Sequence, residues 1–431
     1  MLPKCGGILL AACLPLYGGA TGSAPLTYYK DVAPILQQRC QGCHRPGEIG
    51  PMPLLNYKQV RPWAKAIRSA VVLKKMPPWF ADPGYGTFSN DRSLSRAEID
   101  TLVSWADNGA PEGNPKDAPQ PVSFVDGWAI GKPDLVLEVP TEYHIPASGV
   151  VPYQYILFPS GFTEDKWIEA VEMRPENPSV VHHMIASVRP HNPEYEKKHP
   201  HGQYFEREGD PDSRDRSRTF GAAPDSENLQ VYVPGGVAPA LKPGQARLIK
   251  AGSDIMFQLH FTPNGTPVTE RPRIGFRFAK QPPIERVRGV SVFNENFTIL
   301  PGDPNALVQT KVRLMQDLKV TALQPHMHLR GKDFEFRATY PDGKSETLLR
   351  VSHYDFHWQL TYFLAQPKLL PAGTILECIG HYDNSANNPN NPDPSSAVHH
   401  GDQSWEEMLK GFMDIAIDLN PKTKEIFGTA P

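Results

Sequence analysis

Apolar and polar positions repeat with two different periods along this chain, and the change of period divides it. Near the amino end, Tyr28, Val32, Ile35 and Leu36 recur at the spacing of one helix face. Ile99, Leu102, Val103 and Ala106 do the same behind Ser95 and Glu98, a capping box that predicts a helix start, and Gly109 stands past the end. From Pro133 onward the period becomes two. Leu135-Val136-Leu137-Glu138-Val139, Ile274-Gly275-Phe276-Arg277-Phe278 and Phe334-Glu335-Phe336-Arg337-Ala338 alternate between clusters of Pro, Gly, Asn and Asp. Such stretches predict short antiparallel strands packed as sandwiches, and roughly 300 residues are too many for one sandwich. The expected fold class is therefore multidomain: a small all-α domain over residues 25–112, a Pro-rich linker over 113–132, then two tandem antiparallel β-sandwiches over 133–285 and 286–431.

Composition narrows this further. The chain holds 46 prolines and 34 glycines among 431 residues, which favours strands and ordered loops over long helices. Lys and Arg number 44 against 47 Asp and Glu, so no basic footprint for nucleic acid exists. Lys4 precedes the apolar run Ile8 to Leu16, and small residues fill Gly18 to Ala24. That order predicts an export signal over residues 1–24, and the run is too short to span a bilayer. Leu10-Ala11-Ala12-Cys13 also resembles a lipobox, which makes a lipid anchor at Cys13 the alternative to simple cleavage. Either route leads to the periplasm or the cell exterior. No later segment reaches the ~18 apolar residues of a membrane span. Five cysteines are too few for a disulfide framework, and the isolated Cys378 reads as a buried small hydrophobe.

Two kinds of candidate chemistry stand out. Cys40-Gln41-Gly42-Cys43-His44 is the pentapeptide of c-type haem attachment, in which two thiols bond the porphyrin edge and the histidine reaches the iron. A redox dithiol would prefer a βαβ setting, and a zinc site would need a second Cys pair. Met76, in Lys75-Met76-Pro77-Pro78-Trp79, is the expected sixth ligand, with Met52 the rival. With its helix frame, the 25–112 segment resembles a class I cytochrome c domain.

The second kind is histidine in strands. In Val180-Val181-His182-His183-Met184 two neighbouring imidazoles can reach one metal only at a strand end or a bulge. In Met256-Phe257-Gln258-Leu259-His260 alternation puts Met256, Gln258 and His260 on one face. In Pro325-His326-Met327-His328-Leu329 the two histidines share a face and form a bidentate pair. Imidazoles with a thioether are a copper vocabulary, whereas zinc more often recruits carboxylate or cysteine. His381 reads as a neighbour of such a site, His353 and His357 as packing residues, His399 and His400 as an ordered loop, and His191, His199 and His201 as solvated.

The order His-His-Met, Gln-Leu-His-Phe, His-x-His-Leu and a late Glu-Met resembles the copper type II, ascorbate-dependent monooxygenases, the family of peptidylglycine-hydroxylating and dopamine β-monooxygenases. The resemblance covers residues 150 to 415 and implies two jelly-roll-like sandwiches. It implies that His182, His183 and His260 hold one copper ion, and that His326, His328 and Met408 hold a second where dioxygen and a small-molecule substrate react. Gln324 and Phe412 stand where the peptide-amidating members carry an arginine and a tyrosine, which argues against a carboxylate-ended peptide. The implied function is an exported copper-dependent monooxygenase. Its electrons would come through the attached haem from a periplasmic donor, from ascorbate, or both. The alternative is an electron-transfer or copper-handling protein without substrate oxidation.

Overall fold

The computed structural model describes residues 25–430 apart from 125–126, 207–225, 237–239, 421–422 and 424. The export segment 1–24, with Cys13, lies outside the described residues. Among the described residues, no helix is long and apolar enough to cross a membrane.

Short helices build the amino-terminal region: Ala33–Arg39, Tyr57–Val60, Ala64–Val72 and Arg96–Asp107. The last starts at a closed capping box, with Glu98 N–H donating to Ser95 Oγ and Ser95 N–H to Glu98 Oε2. Leu36, Val60, Leu102 and Trp105 bury one face each in a small core, and Trp105 Nε1 donates to Pro111 O at 2.9 Å.

This region is not the distinct all-α domain expected from the sequence, and the class I cytochrome c reading is corrected here. After the third helix Pro77 and Pro78 bar any further helical turn. The chain from Trp79 to Arg92 then leaves the helical core for the sandwiches. Phe88 is buried in the core of the carboxyl-terminal sandwich, with Trp79, Phe80 and Ala81 packed against it. Backbone hydrogen bonds join the two: Asp82 N to Arg350 O, Ser89 N to Phe363 O and Ala365 N to Thr87 O, each 2.8 Å. Asn90 bonds Thr361 O and Phe363 N, and Arg92 donates to Gly235 O at 3.0 Å. Aromatic side chains that follow a helix-breaking pair gain burial against a sheet, which periodicity within the helices could not register.

The four haem residues share this correction. Cys43 Sγ lies against Gly235, whose φ of 68° suits glycine and whose added Cβ would stand 2.5 Å from the sulfur. Burial pushes the Cys40 thiol up to about 12 and raises Cys43 as well, so both are protonated thiols. His44 Nδ1 is 3.1 Å from Met52 O, and Met76 is held by its N–H to Ala70 O at the end of a helix. The haem expectation needed a separate cytochrome module around Cys40, Cys43, His44 and Met76. The fold instead knits this stretch into the β region.

Two apolar cores organise the remainder. Ile156, Ile168, Met184, Phe257, Ile274 and Phe276 belong to the first, and Val292, Val320, Phe334, Phe336, Cys378 and Ile415 to the second. Around the first, Leu135–Glu138, Arg273–Phe278, Lys166–Arg174 and Gln245–Ile249 pair in that order. The other layer runs Glu227–Tyr232, Val181–Pro190, Ser253–Phe261, Gln154–Pro159 and Tyr204–Phe205. Around the second core, Glu285–Asn294, Leu409–Asp418, Leu318–His326 and Tyr362–Leu370 form one layer. Ser345–Val351, Gly331–Thr339, Ile375–Tyr382, Ala306–Leu314 and Phe427–Thr429 form the other.

The expectation of two separate jelly-roll-like units is corrected as well. The strand Glu285–Asn294 pairs in parallel with Gln245–Ile249 and meets Asn228 at Gly289, which fuses layers of both sandwiches into one thirteen-stranded sheet. A Cβ on Gly289 would collide with the Asn228 carbonyl, so only glycine lets the strands approach this closely. Among the described residues, the sheets do not close into barrels.

Candidate metal centre

The strand pair Val181–Pro190 and Ser253–Phe261 carries the first histidines. Its register runs Val181↔Phe261, then shifts to His183↔His260, leaving His182 as the extra residue of a bulge. A bulge sets two residues of one strand against one of its neighbour. Both adjacent imidazoles therefore reach His260. Ring centroids are 5.5 Å apart for His182 and His183, 4.6 Å for His182 and His260, and 5.1 Å for His183 and His260. One nitrogen from each ring falls within 4.8 Å of the others.

The second sandwich brings its pair to the same place. His326 and His328 have centroids 5.2 Å apart, and His326 lies 6.3 Å from His183. The sequence reading kept two triads, and their imidazoles lie side by side across the boundary between the sandwiches. Phe356 stacks on His182 at 4.9 Å, and the Tyr153 ring lies 4.4 Å from that of His260. Met408 is buried, and its carbonyl accepts from Tyr382 Oη at 2.6 Å. The ladder ends at His326↔Lys410, and its continuation would set Met408 opposite His328. Gln324 and Phe412 pair directly across that same ladder.

Burial is the dominant electrostatic fact. It pushes His182 and His328 down to about 4 and holds His183, His260 and His326 well below the ordinary imidazole value. All five rings are thus neutral, the form that ligates a metal. Both nitrogens of His182, Nδ1 of His183 and His260, and Nε2 of His328 are buried without a hydrogen-bond partner among the described residues. An unpartnered buried polar atom costs roughly 1–3 kcal/mol. One nitrogen from each of His182, His183 and His260 meets the others within 4.8 Å, which fits a metal ion.

The pair from the second sandwich is oriented from behind. His326 Nδ1 sits 2.6 Å from Gln359 Oε1, and His328 Nδ1 3.2 Å from Glu406 O. Both rings donate on the Nδ1 side in these contacts, which turns Nε2 toward the cluster. Sequence reasoning missed Glu407. Its buried carboxylate accepts from His328 N–H at 2.9 Å and Arg330 N–H at 2.6 Å, pinning the His-x-His turn. Burial pushes it up to about 8. Only its place beside Met408 could have drawn attention to it.

A second cluster lies at the other end of the same strand pair. His191, Glu196 and His201 approach within 4.8 Å of one another through their ligating atoms. The sequence reading left His191 and His201 solvated; both contact the buried Asp254, at 3.0 and 3.1 Å. The remaining histidines stay outside both groups. His381 pairs with Asp333 at 2.7 Å, and His357, 6.2 Å from His182, pairs with Asp355 at 3.0 Å.

A cavity of about 550 Å³ separates the helical region from the sandwiches, with Cys43, Arg92, Tyr232 and Gly235 among its lining.

Comparison with known proteins leaves the family open. No family model matches the chain, and no curated protein matches it. Among solved structures it is similar to a protein described as an α-L-fucosidase of Bacteroides ovatus, at 8% identity and a TM-score of 0.17, covering 69% of this chain and 41% of that one. It therefore spans about two fifths of that structure's length. It is also similar to the VP2 subviral particle of infectious bursal disease virus, at 10% identity and a TM-score of 0.19, covering 70% of this chain and 77% of that one. Scores this low support no superposition of folds.

These findings correct the functional reading. The resemblance to the ascorbate-dependent copper monooxygenases draws no family match, and the helical region is no separate cytochrome. The monooxygenase activity is therefore unsupported, together with the catalytic role of His326, His328 and Met408, the haem route for electrons, and the electron-transfer alternative. What stands is coarser. A cluster of three histidines and a cluster of two histidines and a glutamate could each coordinate a metal ion, as in a metalloprotein.

Proposed function

We propose that this chain is an exported metalloprotein that binds copper through His182, His183 and His260. The observation that carries the reading is the set of buried, neutral and unpartnered imidazole nitrogens on these three residues. The donor set supports copper over zinc because imidazole holds both copper oxidation states and, among the described residues, no carboxylate or thiolate joins the group. An ion held this way supplies Lewis-acid or one-electron chemistry. The chain's own residues position it: the bulge aims two rings at the third, Phe356 and Tyr153 wall off water, and burial keeps the rings deprotonated. His326 and His328, with Met408 as a third donor, are proposed as a second copper position beside the first. The export part of the reading rests on the Lys4 and Ile8 to Leu16 pattern.

Copper content after loading and exhaustive dialysis tests the proposal. The parent should retain two ions. His260→Ala should lose one, and Met408→Ala should weaken the other. A parent that retains no more copper than His182→Ala/His260→Ala would refute it.

A further inference from the structure

The strand pair that ends in three imidazoles at one side ends in a different constellation at the other. Asp254 and Arg189 stand opposite each other in register, six residues from His260, or about 20 Å along the strand. His191 follows the first strand directly. Glu196 lies on the short helix Pro193–Lys198, and His201 closes the turn before Tyr204–Phe205.

The contacts form a ring of alternating imidazole and carboxylate. His191 Nδ1 is 3.0 Å from Asp254 Oδ2, and His191 Nε2 is 3.6 Å from Glu196 Oε2. His201 Nδ1 is 3.0 Å from Glu196 Oε1, and His201 Nε2 is 3.1 Å from Asp254 Oδ1. A neutral imidazole owns a single N–H, so two rings bring two donors to four nitrogen–carboxylate contacts. The other two contacts set a nitrogen lone pair against a carboxylate oxygen. A cation between His191 Nε2, His201 Nδ1 and Glu196 would answer both lone pairs and the carboxylate together. The Asp254 side chain is 3% exposed, and it aims into the ring with the two imidazoles as its side-chain partners.

We propose that His191, Glu196 and His201 form a separate site for a divalent cation of zinc type, with Asp254 orienting both rings from behind. His191 Nε2, His201 Nδ1 and Glu196 supply three donors, and Asp254 accepts from the far nitrogen of each ring, as a carboxylate behind a zinc-bound histidine does. The ion clamps the excursion 191–201 onto the strand Ser253–Phe261. Its class differs from the all-imidazole centre because carboxylates neutralise the ion locally and favour a harder metal. This site does not depend on the copper reading.

The test uses the full chain carrying His182→Ala/His260→Ala, stripped with chelator and titrated with Zn²⁺ alone. Bound zinc is measured by mass spectrometry, and amide exchange is followed over 191–205. The expected result is retained zinc, slower exchange on loading, and loss of that zinc in His201→Ala. Glu196→Gln, on the half-exposed rim and so compatible with folding, should weaken zinc by roughly tenfold or more. If zinc binding and exchange are the same with and without His201, or if no zinc binds, the site is overturned. The ring is then two imidazolium–carboxylate pairs.

Discussion

The two ends of one antiparallel strand pair solve opposite electrostatic problems. At the bulged end, His183 and His260 are buried and His182 half-buried among aromatic rings, all neutral and short of hydrogen-bond partners. At the other end, His191 and His201 are partly exposed, and every ring nitrogen faces a carboxylate. Imidazole alone does not make a metal site. What matters is whether the surroundings leave its nitrogens unanswered or answer them with negative charge, because the first selects a soft ion and the second a harder one.

The largest test of this contrast is His260→Ala, expected to weaken copper on the order of 100-fold, about 2.7 kcal/mol, while leaving zinc at Glu196 unchanged. Competition titration with a copper chelator reads it, and equal losses of both metals would merge the two ends into one site. Next is Asp254→Asn. Removing a buried charge faced by two imidazoles should lower metal-free stability by about 1–3 kcal/mol in urea unfolding, and an unchanged midpoint would refute the ring.

His182→Phe should behave in the opposite sense. It replaces two unpartnered buried nitrogens with carbon against Phe356, so the metal-free protein should gain about 1 kcal/mol while copper is lost. A destabilised variant would show that the ring has partners.

The smallest effect concerns Glu270, a buried carboxyl without the flanking imidazoles of Asp254. It accepts from Glu176 N and Asn177 N just before the histidine strand, and burial pushes it up to about 7. Its folded value is raised, so its contribution is fully present below the ordinary carboxylate range and fades as pH rises to about 7. Glu270→Gln should flatten stability over that window, and an unchanged slope in pH-dependent melts would move the titration elsewhere.

Much of the strand pattern was legible. Val308, Thr310, Val312 and Leu314 are buried while the residues between them are exposed, as period-two spacing requires. The spacing in Val180 to Met184 also demanded a strand end or a bulge if both histidines were to act together, and a bulge stands there. The carboxylates were not legible. Asp254 is one polar residue in an apolar strand, and Glu196 one acid on a charged helix; nothing local distinguishes them from solvated charge. The path of Trp79 to Arg92 was equally hidden, because its partners lie 143 to 273 positions away.

By itself the sequence determined what depends on neighbours in the chain: the capped helix at Ser95, the alternating strands, and the pairs His182/His183 and His326/His328. Tertiary structure alone decided which of these meet. It laid five imidazoles side by side, set two acids against His191 and His201, and fused the helical segment to the sandwiches. The reason is physical: propensity and capping act over a few residues, whereas burial and charge compensation act between whichever surfaces the packed chain brings together.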